Sequence, residues 1–155
     1  MKSVLFVCLG NICRSPMAEG ILRHKAEQHG VKIRIDSAGT GKWHVGENPD
    51  HRAVKTSKEH GIDISKLVAR QISENDFEQF DFIYVADAEV YDGVVDLALN
   101  RDHTLKVDYI MNLVHPDLNM PVPDPYLGGM DGFEHVYMLL NKACDEIIAK
   151  AINSK

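Results

Sequence analysis

The sequence predicts an α/β fold in three layers: a four-stranded parallel sheet with helices on both faces. Three observations carry that expectation. Short apolar runs of strand length alternate along the chain with stretches of helical period. The first run, Val4–Leu9, is apolar without alternation, as expected of a strand covered on both sides. No repeat or low-complexity tract interrupts the pattern, so residues 1–155 read as a single domain. A hydrophobic content of 45% is enough for one sizeable core.

The elements follow in order. After Val4–Leu9 the period changes, and Met17, Ala18, Ile21, Leu22 and Ala26 share one face of a helix over residues 16–29. Gly30 is its stop. Val31–Ile35 alternates as a short second strand. Lys55–His60 closes a second helix that begins near Asp50 and ends at Gly61. Phe82–Ala86 is a buried strand, Glu89–Leu99 a helix, and Leu105–Tyr109 a fourth strand. Phe133, Val136, Tyr137, Leu140, Cys144, Ile147 and Ala151 form the stripe of a long final helix. Ser37–Pro49 and Val114–Asp131 read as long loops. Parallel sheets bind ligands beyond the carboxyl ends of their strands, so chemistry is expected from Cys8 onward.

Composition narrows the classes. The formal net charge of −6 argues against a general nucleic-acid binder. Three cysteines, an odd number, do not make a disulfide framework and point to a reducing compartment. Val4–Leu9 is too short for a membrane anchor or a secretory leader. The expectation is a cytoplasmic protein with neither nucleic-acid nor membrane partners.

The informative segment is Val7-Cys8-Leu9-Gly10-Asn11-Ile12-Cys13-Arg14-Ser15-Pro16. A strand stops near Cys8, and a helix starts near Ser15-Pro16, with Ser15 suited to cap it. Leu9 to Arg14 must turn between them, and Gly10 and Asn11 tolerate positive φ. Such a loop aims successive N–H groups into one concavity, which binds an oxyanion in front of a helix N-terminus. Arg14 adds a planar fork that matches two phosphate oxygens. A thiol on the floor of that ring is expected to have a lowered pKa and to lie in line with a bound phosphorus.

Cys-x5-Arg-Ser is the signature of cysteine-dependent phosphatases, and the longer run, placed after the first strand, closely resembles the low-molecular-weight protein tyrosine phosphatases. Asp36-Ser37-Ala38-Gly39-Thr40, Ala69-Arg70-Gln71-Ile72 and Asp124-Pro125-Tyr126 match further landmarks, so the resemblance spans nearly the whole chain. It implies the flavodoxin-like, phosphotyrosine phosphatase I fold. It also implies hydrolysis of phosphotyrosine on tyrosine-phosphorylated proteins through a phosphocysteine intermediate, with phosphate or another oxyanion held in the active site and no metal or cofactor.

The residues are assigned on that resemblance. Cys8 is the nucleophile, Arg14 binds the phosphoryl group, and Asp124 is the general acid that protonates a leaving phenolate. Alone, Asp-Pro is only a turn signal. Ser15 is either a helix cap or, as in the family, a donor to the Cys8 thiolate. Leu9, Gly10, Asn11, Ile12 and Cys13 complete the substrate-binding loop, with the Asn11 side chain holding its shape. Trp43 and Tyr126 are expected to sandwich the phenyl ring, and Ser37 to bond the loop. Cys13 is either a packed residue or a disulfide partner that protects Cys8. Two departures stand out. Leu127 occupies the place of a second tyrosine, and Lys66-Leu67-Val68 lacks a histidine that supports the loop asparagine in some members.

Rival readings fit less well. Arsenate reductases of this fold need redox cysteines in mid-chain, and none lies between Cys13 and Cys144. Arginine phosphatases typically carry Thr where Ile12 stands. Gly39-Thr40-Gly41-Lys42 fails as a nucleotide loop, because Asp36 takes the place of its first glycine and Trp43 follows the lysine. A pure phosphotyrosine binder has no need of both Cys8 and Asp124.

Overall fold

The computed structural model describes residues 2–153. Four parallel strands, β1 (Lys2–Cys8), β2 (Ile33–Gly39), β3 (Phe82–Val85) and β4 (Val107–Tyr109), form one sheet in the order β2-β1-β3-β4. The helices are α1 (Arg14–His29), α2 (His51–Glu59), α3 (Asp76–Gln79), α4 (Ala88–Val95), α5 (Arg101–Leu105) and α6 (Met130–Asn153), with a 3-10 turn at Ile110–Leu113. This is the expected three-layer α/β architecture.

Strand side chains alternate between faces, and β1 supplies both cores. Val4, Phe6 and Cys8 pack with Met17 and Leu22 of α1 and Phe133 and Leu140 of α6. Leu5 and Val7 pack on the other side with Phe77, Phe80, Val90 and Val94. Each of these side chains is nearly or wholly buried, worth roughly 1.5–3 kcal/mol apiece against exposure. That burial explains why β1 shows no alternation. Cys144 lies in the first core, its Sγ near Ala18 O.

Several boundaries differ from those expected. β2 begins at Ile33 rather than Val31 and runs on to Gly39, so Ser37–Gly39 belongs to the sheet and not to a loop. Cys8 pairs with Gly39, and the bridge from Gly39 to Gln71 extends the edge. Polar Asp36 and Ser37 hid this extension from an apolar pattern. The helix expected over Glu89–Leu99 ends at Val95, and α5 follows, capped by Asn100, whose Oδ1 accepts from His103 N at 2.9 Å. α5 displaces the start of the fourth strand from Leu105 to Val107. α3 and α5 are each too short to display a helical period. α2 matches its reading: Asp50 Oδ1 caps it by accepting from Arg52 N at 2.8 Å, worth about 1 kcal/mol.

Among the described residues no helix is long and apolar enough to cross a membrane.

Candidate active site

β1 delivers Cys8 to the carboxyl edge of the sheet, and the chain curls through Leu9–Cys13 before α1 begins at Arg14. Asn11 takes the left-handed turn, with φ 58°. The loop is fastened from outside through its carbonyls. Cys8 O accepts from Thr40 N at 3.0 Å, Leu9 O from Gly41 N at 2.9 Å and Ile12 O from Asp50 N at 2.8 Å. Among the described residues, none of the amides from Leu9 to Ser15 donates to another protein group. Free N–H groups at a strand–helix junction form an anion-binding concavity. Gly39 makes the curl possible, because a Cβ there would lie 2.8 Å from Leu9 O and 3.1 Å from Asn11 N.

Ser15 is not the cap of α1. The N-cap position falls on Cys13, which offers no side-chain bond, and the Ser15 hydroxyl turns back to lie 2.9 Å from Cys8 Sγ. Its neighbours fix the direction of its proton. Arg70 N donates to Asn11 Oδ1 at 3.0 Å, which fixes the orientation of the Asn11 amide. Asn11 Nδ2 therefore donates to Ser15 Oγ at 2.8 Å and to Ser37 Oγ at 2.9 Å. Ser37 passes its own proton to Glu19 Oε1 at 2.7 Å. Ser15 is left to donate to Cys8 Sγ, with Ala38 O a longer alternative at 3.4 Å. Asn11 thus braces the loop from beneath, as its supporting role required, but its side chain does not line the cavity. Ser37 and the Arg70 amide hold the Asn11 side chain in place. Glu19 closes the network. Its burial raises its pKa, only partly offset by the Ser37 hydrogen bond and by Arg23, paired at 2.7 Å.

Arg14 is 3% exposed. Its Nη1 donates to Asp87 Oδ2 at 2.7 Å and to Val122 O at 2.8 Å, and its Nη2 lies 3.8 Å from Asp124 Oδ2. Burial works against the charge, but Cys8 and the Asp87 hydrogen bond outweigh it, and the Arg14 pKa is raised. Asp87 escaped the sequence reading. Its signal was its position two residues beyond β3, where it also caps α4 by accepting from Val90 N at 3.0 Å.

Above Cys8 opens a cavity of about 190 Å³. Its floor is Cys8, Leu9, Gly10, Ile12, Cys13 and Arg14, and its walls are Trp43, His44, Asp124 and Tyr126. Both aromatic residues therefore reach the cavity from the loops expected to carry them. The Trp43 ring lies over Gly41, where a Cβ would stand 1.9 Å from it. His44, which the motifs did not single out, lies beside Gly10, with its Nδ1 3.1 Å from Glu47 Oε2 and its ring centre 6.2 Å from that of Tyr126. Cys13 is a free, buried thiol. Burial first, then Asp50, Cys8 and Asp124, pushes its pKa up. Among the described residues, no group of three or more His, Cys, Asp or Glu side chains is placed to share a metal ion.

Comparison with known proteins agrees with this geometry. The family model for low molecular weight phosphotyrosine protein phosphatase matches residues 3–155. The low molecular weight protein-tyrosine-phosphatase YfkJ of Bacillus subtilis is 40% identical, over 100% of this chain and 99% of its own. The human low molecular weight phosphotyrosine protein phosphatase is 39% identical, over 97% and 96%. Among solved structures, a protein tyrosine phosphatase from Entamoeba histolytica with Hepes in its active site superposes with a TM-score of 0.92 at 34% identity, covering 99% of both chains.

Proposed function

This chain belongs to the low molecular weight phosphotyrosine protein phosphatase family, and from that premise we propose how its own residues divide the reaction. It is a protein tyrosine phosphatase that works through a phosphocysteine intermediate. One observation carries the assignment of parts. Cys8 Sγ lies 2.9 Å from the Ser15 hydroxyl beside a loop whose amides, among the described residues, donate to no protein group, and Cys8, Arg14 and Asp124 line the same cavity.

The loop amides and the Arg14 fork hold three phosphoryl oxygens, and Cys8 attacks phosphorus as a thiolate. The S–P bond forms as the P–O bond to tyrosine breaks. A phenolate leaves poorly, since the phenol has a pKa of about 10. Asp124 gives its proton to that oxygen as the bond breaks. The carboxylate left behind takes a proton from water, which attacks the phosphocysteine, and Cys8 leaves as thiolate with the Ser15 O–H donating to it. Arg14 and the amides meet the charge of the transferring group in both steps. No step calls for a metal or a cofactor.

The substrate side follows from the walls. Trp43 and Tyr126 accept a phenyl ring between them and give the slot a depth that a shorter phosphoserine does not span. Apolar Ile12 at its floor favours that ring over a guanidinium. The reading is of tyrosine-phosphorylated proteins as substrates in the cytoplasm, with phosphate or another oxyanion occupying the loop between turnovers. Hepes, which carries a sulfonate, sits in the active site of the Entamoeba histolytica relative, in keeping with an oxyanion cradle.

The test is hydrolysis of p-nitrophenyl phosphate and of a phosphotyrosine peptide in EDTA. Cys8→Ser is expected to reduce both to background. Asp124→Ala is expected to lose about 10²–10⁴-fold on the peptide and far less on the better leaving group. Loss of wild-type activity in EDTA, or equal losses for Asp124→Ala on both substrates, would overturn the assignment.

A further inference from the structure

Arg52, in the first turn of α2, does not line the cavity, yet it grips the loop that carries Asp124. Its Nη2 donates to Tyr126 O at 2.7 Å and its Nη1 to Gly128 O at 3.0 Å. Its guanidinium carbon lies 5.6 Å from the centre of the Tyr126 ring and 4.7 Å from that of Phe133. Asp50 holds the remaining edge, accepting from Nε and Nη2, each at 3.0 Å. Burial works to raise the Asp50 pKa, but the Arg52 hydrogen bonds outweigh it and hold the carboxyl below its usual range.

The peptide groups of Tyr126 link this grip to the acid. The Tyr126 carbonyl accepts from Arg52, and the Tyr126 N–H donates to Asp124 Oδ1 at 3.0 Å. With Oδ1 so engaged, Oδ2 is the oxygen turned toward Arg14, 3.8 Å from its Nη2. Beyond Tyr126 come Leu127, Gly128 and Gly129, all exposed. Two adjacent glycines are conformationally permissive, so the shape of that backbone rests on the Gly128 N–H bond to Pro125 O at 3.0 Å and on Arg52. At the other end, Asp50 N is bonded to Ile12 O, inside the loop that carries the nucleophile. Ile12, Asp50, Arg52, Tyr126 and Asp124 therefore form a continuous bridge from nucleophile to acid that does not pass through the substrate.

We propose that Arg52 is a positioning residue for the general acid, setting the Asp124 carboxyl over Cys8 by fixing the Tyr126 peptide from outside the cavity. The inference rests on Asp124 being that acid. Misplacing a catalytic group by about 1 Å costs on the order of 10²-fold. The loss should fall on substrates whose leaving oxygen needs the proton. A general weakening of the fold would instead affect all substrates alike.

The experiment measures kcat/KM for aryl phosphates ranging from nitrophenol to phenol leaving groups, and for a phosphotyrosine peptide. The proteins are wild type, Arg52→Met, Arg52→Lys, Asp124→Ala and the Arg52→Met/Asp124→Ala double variant. Arg52→Met is expected to lose about 10–10²-fold on the peptide and little on p-nitrophenyl phosphate, so that the dependence on leaving-group pKa steepens. Arg52→Lys, which keeps the charge and a donor, recovers part of the loss. In the Asp124→Ala background Arg52→Met adds nothing, as expected of residues acting as one unit. Equal losses for every leaving group, or a full additional loss on top of Asp124→Ala, would make Arg52 merely structural. Should Arg52→Met fail to fold, Arg52→Lys decides by whether its leaving-group dependence steepens. If Asp124→Ala itself leaves the dependence unchanged, the acid assignment fails first and the inference falls with it.

Discussion

From Cys8 to Arg14 every residue except Leu9 and Gly10 is buried, whereas across the cavity Asp124 is 49% and Leu127 96% exposed. The two sides are held by different means. The nucleophile loop is fixed by three of its carbonyls, by Asn11 bonded at both ends of its amide and by the close approach of Gly39. The acid loop hangs from buried Val122 and Pro125 and from the guanidinium of Arg52. On the proposed division of roles, the anion cradle keeps one shape through two chemical steps, while the acid serves a leaving group and then a water. The difference teaches that damage to the two sides should be distinguishable by its kinetics.

The largest expected effect that tests this contrast is at Asn11. Asn11→Ala removes the brace beneath the loop and leaves Ser37, Ser15 and the Arg70 amide short of partners. It should lower kcat/KM by about 10–10²-fold, and equally for nitrophenyl and tyrosyl leaving groups. A loss graded by leaving group would show that the two sides are not separate. Gly39→Ala comes next. Its Cβ would press on Leu9 O, so either the loop or β2 must shift, at about 1–3 kcal/mol by denaturant unfolding. An unchanged midpoint would mean that the cradle yields more easily than its burial implies.

The smallest effect concerns Glu19. Its pKa is raised in the folded protein from an ordinary value of 4.5. The folded state therefore holds this proton more tightly than the unfolded chain, and stability from this group is full below 4.5 and falls as pH rises through the raised value. Glu19→Gln should lose that dependence, so its melting temperature gains on wild type as pH climbs from below 4.5 toward neutrality. A constant difference between the two across that range would mean that burial does not raise the Glu19 pKa.

Legibility in the sequence divided along similar lines. The run from Val7 to Pro16 announced its loop because Gly-Asn and Arg-Ser stand together at a strand–helix junction, within one short window. Asp124 and Tyr126 were found only beside a known pattern, since Asp-Pro by itself marks any turn. The supports were not visible. Glu19, Arg52 and Asp87 act through partners far along the chain, and nothing local separates Arg52 from a solvated helix residue. Ser15 was readable as a cap because the cap and the thiol partner ask for the same residue type at the same place. Nothing in the sequence around His44 shows that the loop folds it against Gly10. The extension of β2 through Asp36 and Ser37 was hidden because those polar side chains serve the loop and not the core.

The bond from Arg14 to Val122 spans 108 positions of sequence. A ribosome releases the N-terminal segment first, so the thiol is made early and its restraints late. A nascent chain that has not reached Val122 carries Cys8 without the carbonyl that holds the guanidinium, and without Asp124. On the proposed roles, catalytic competence therefore waits until Val122 and Asp124 have been added, and a chain cut short before them holds the thiol without its restraints.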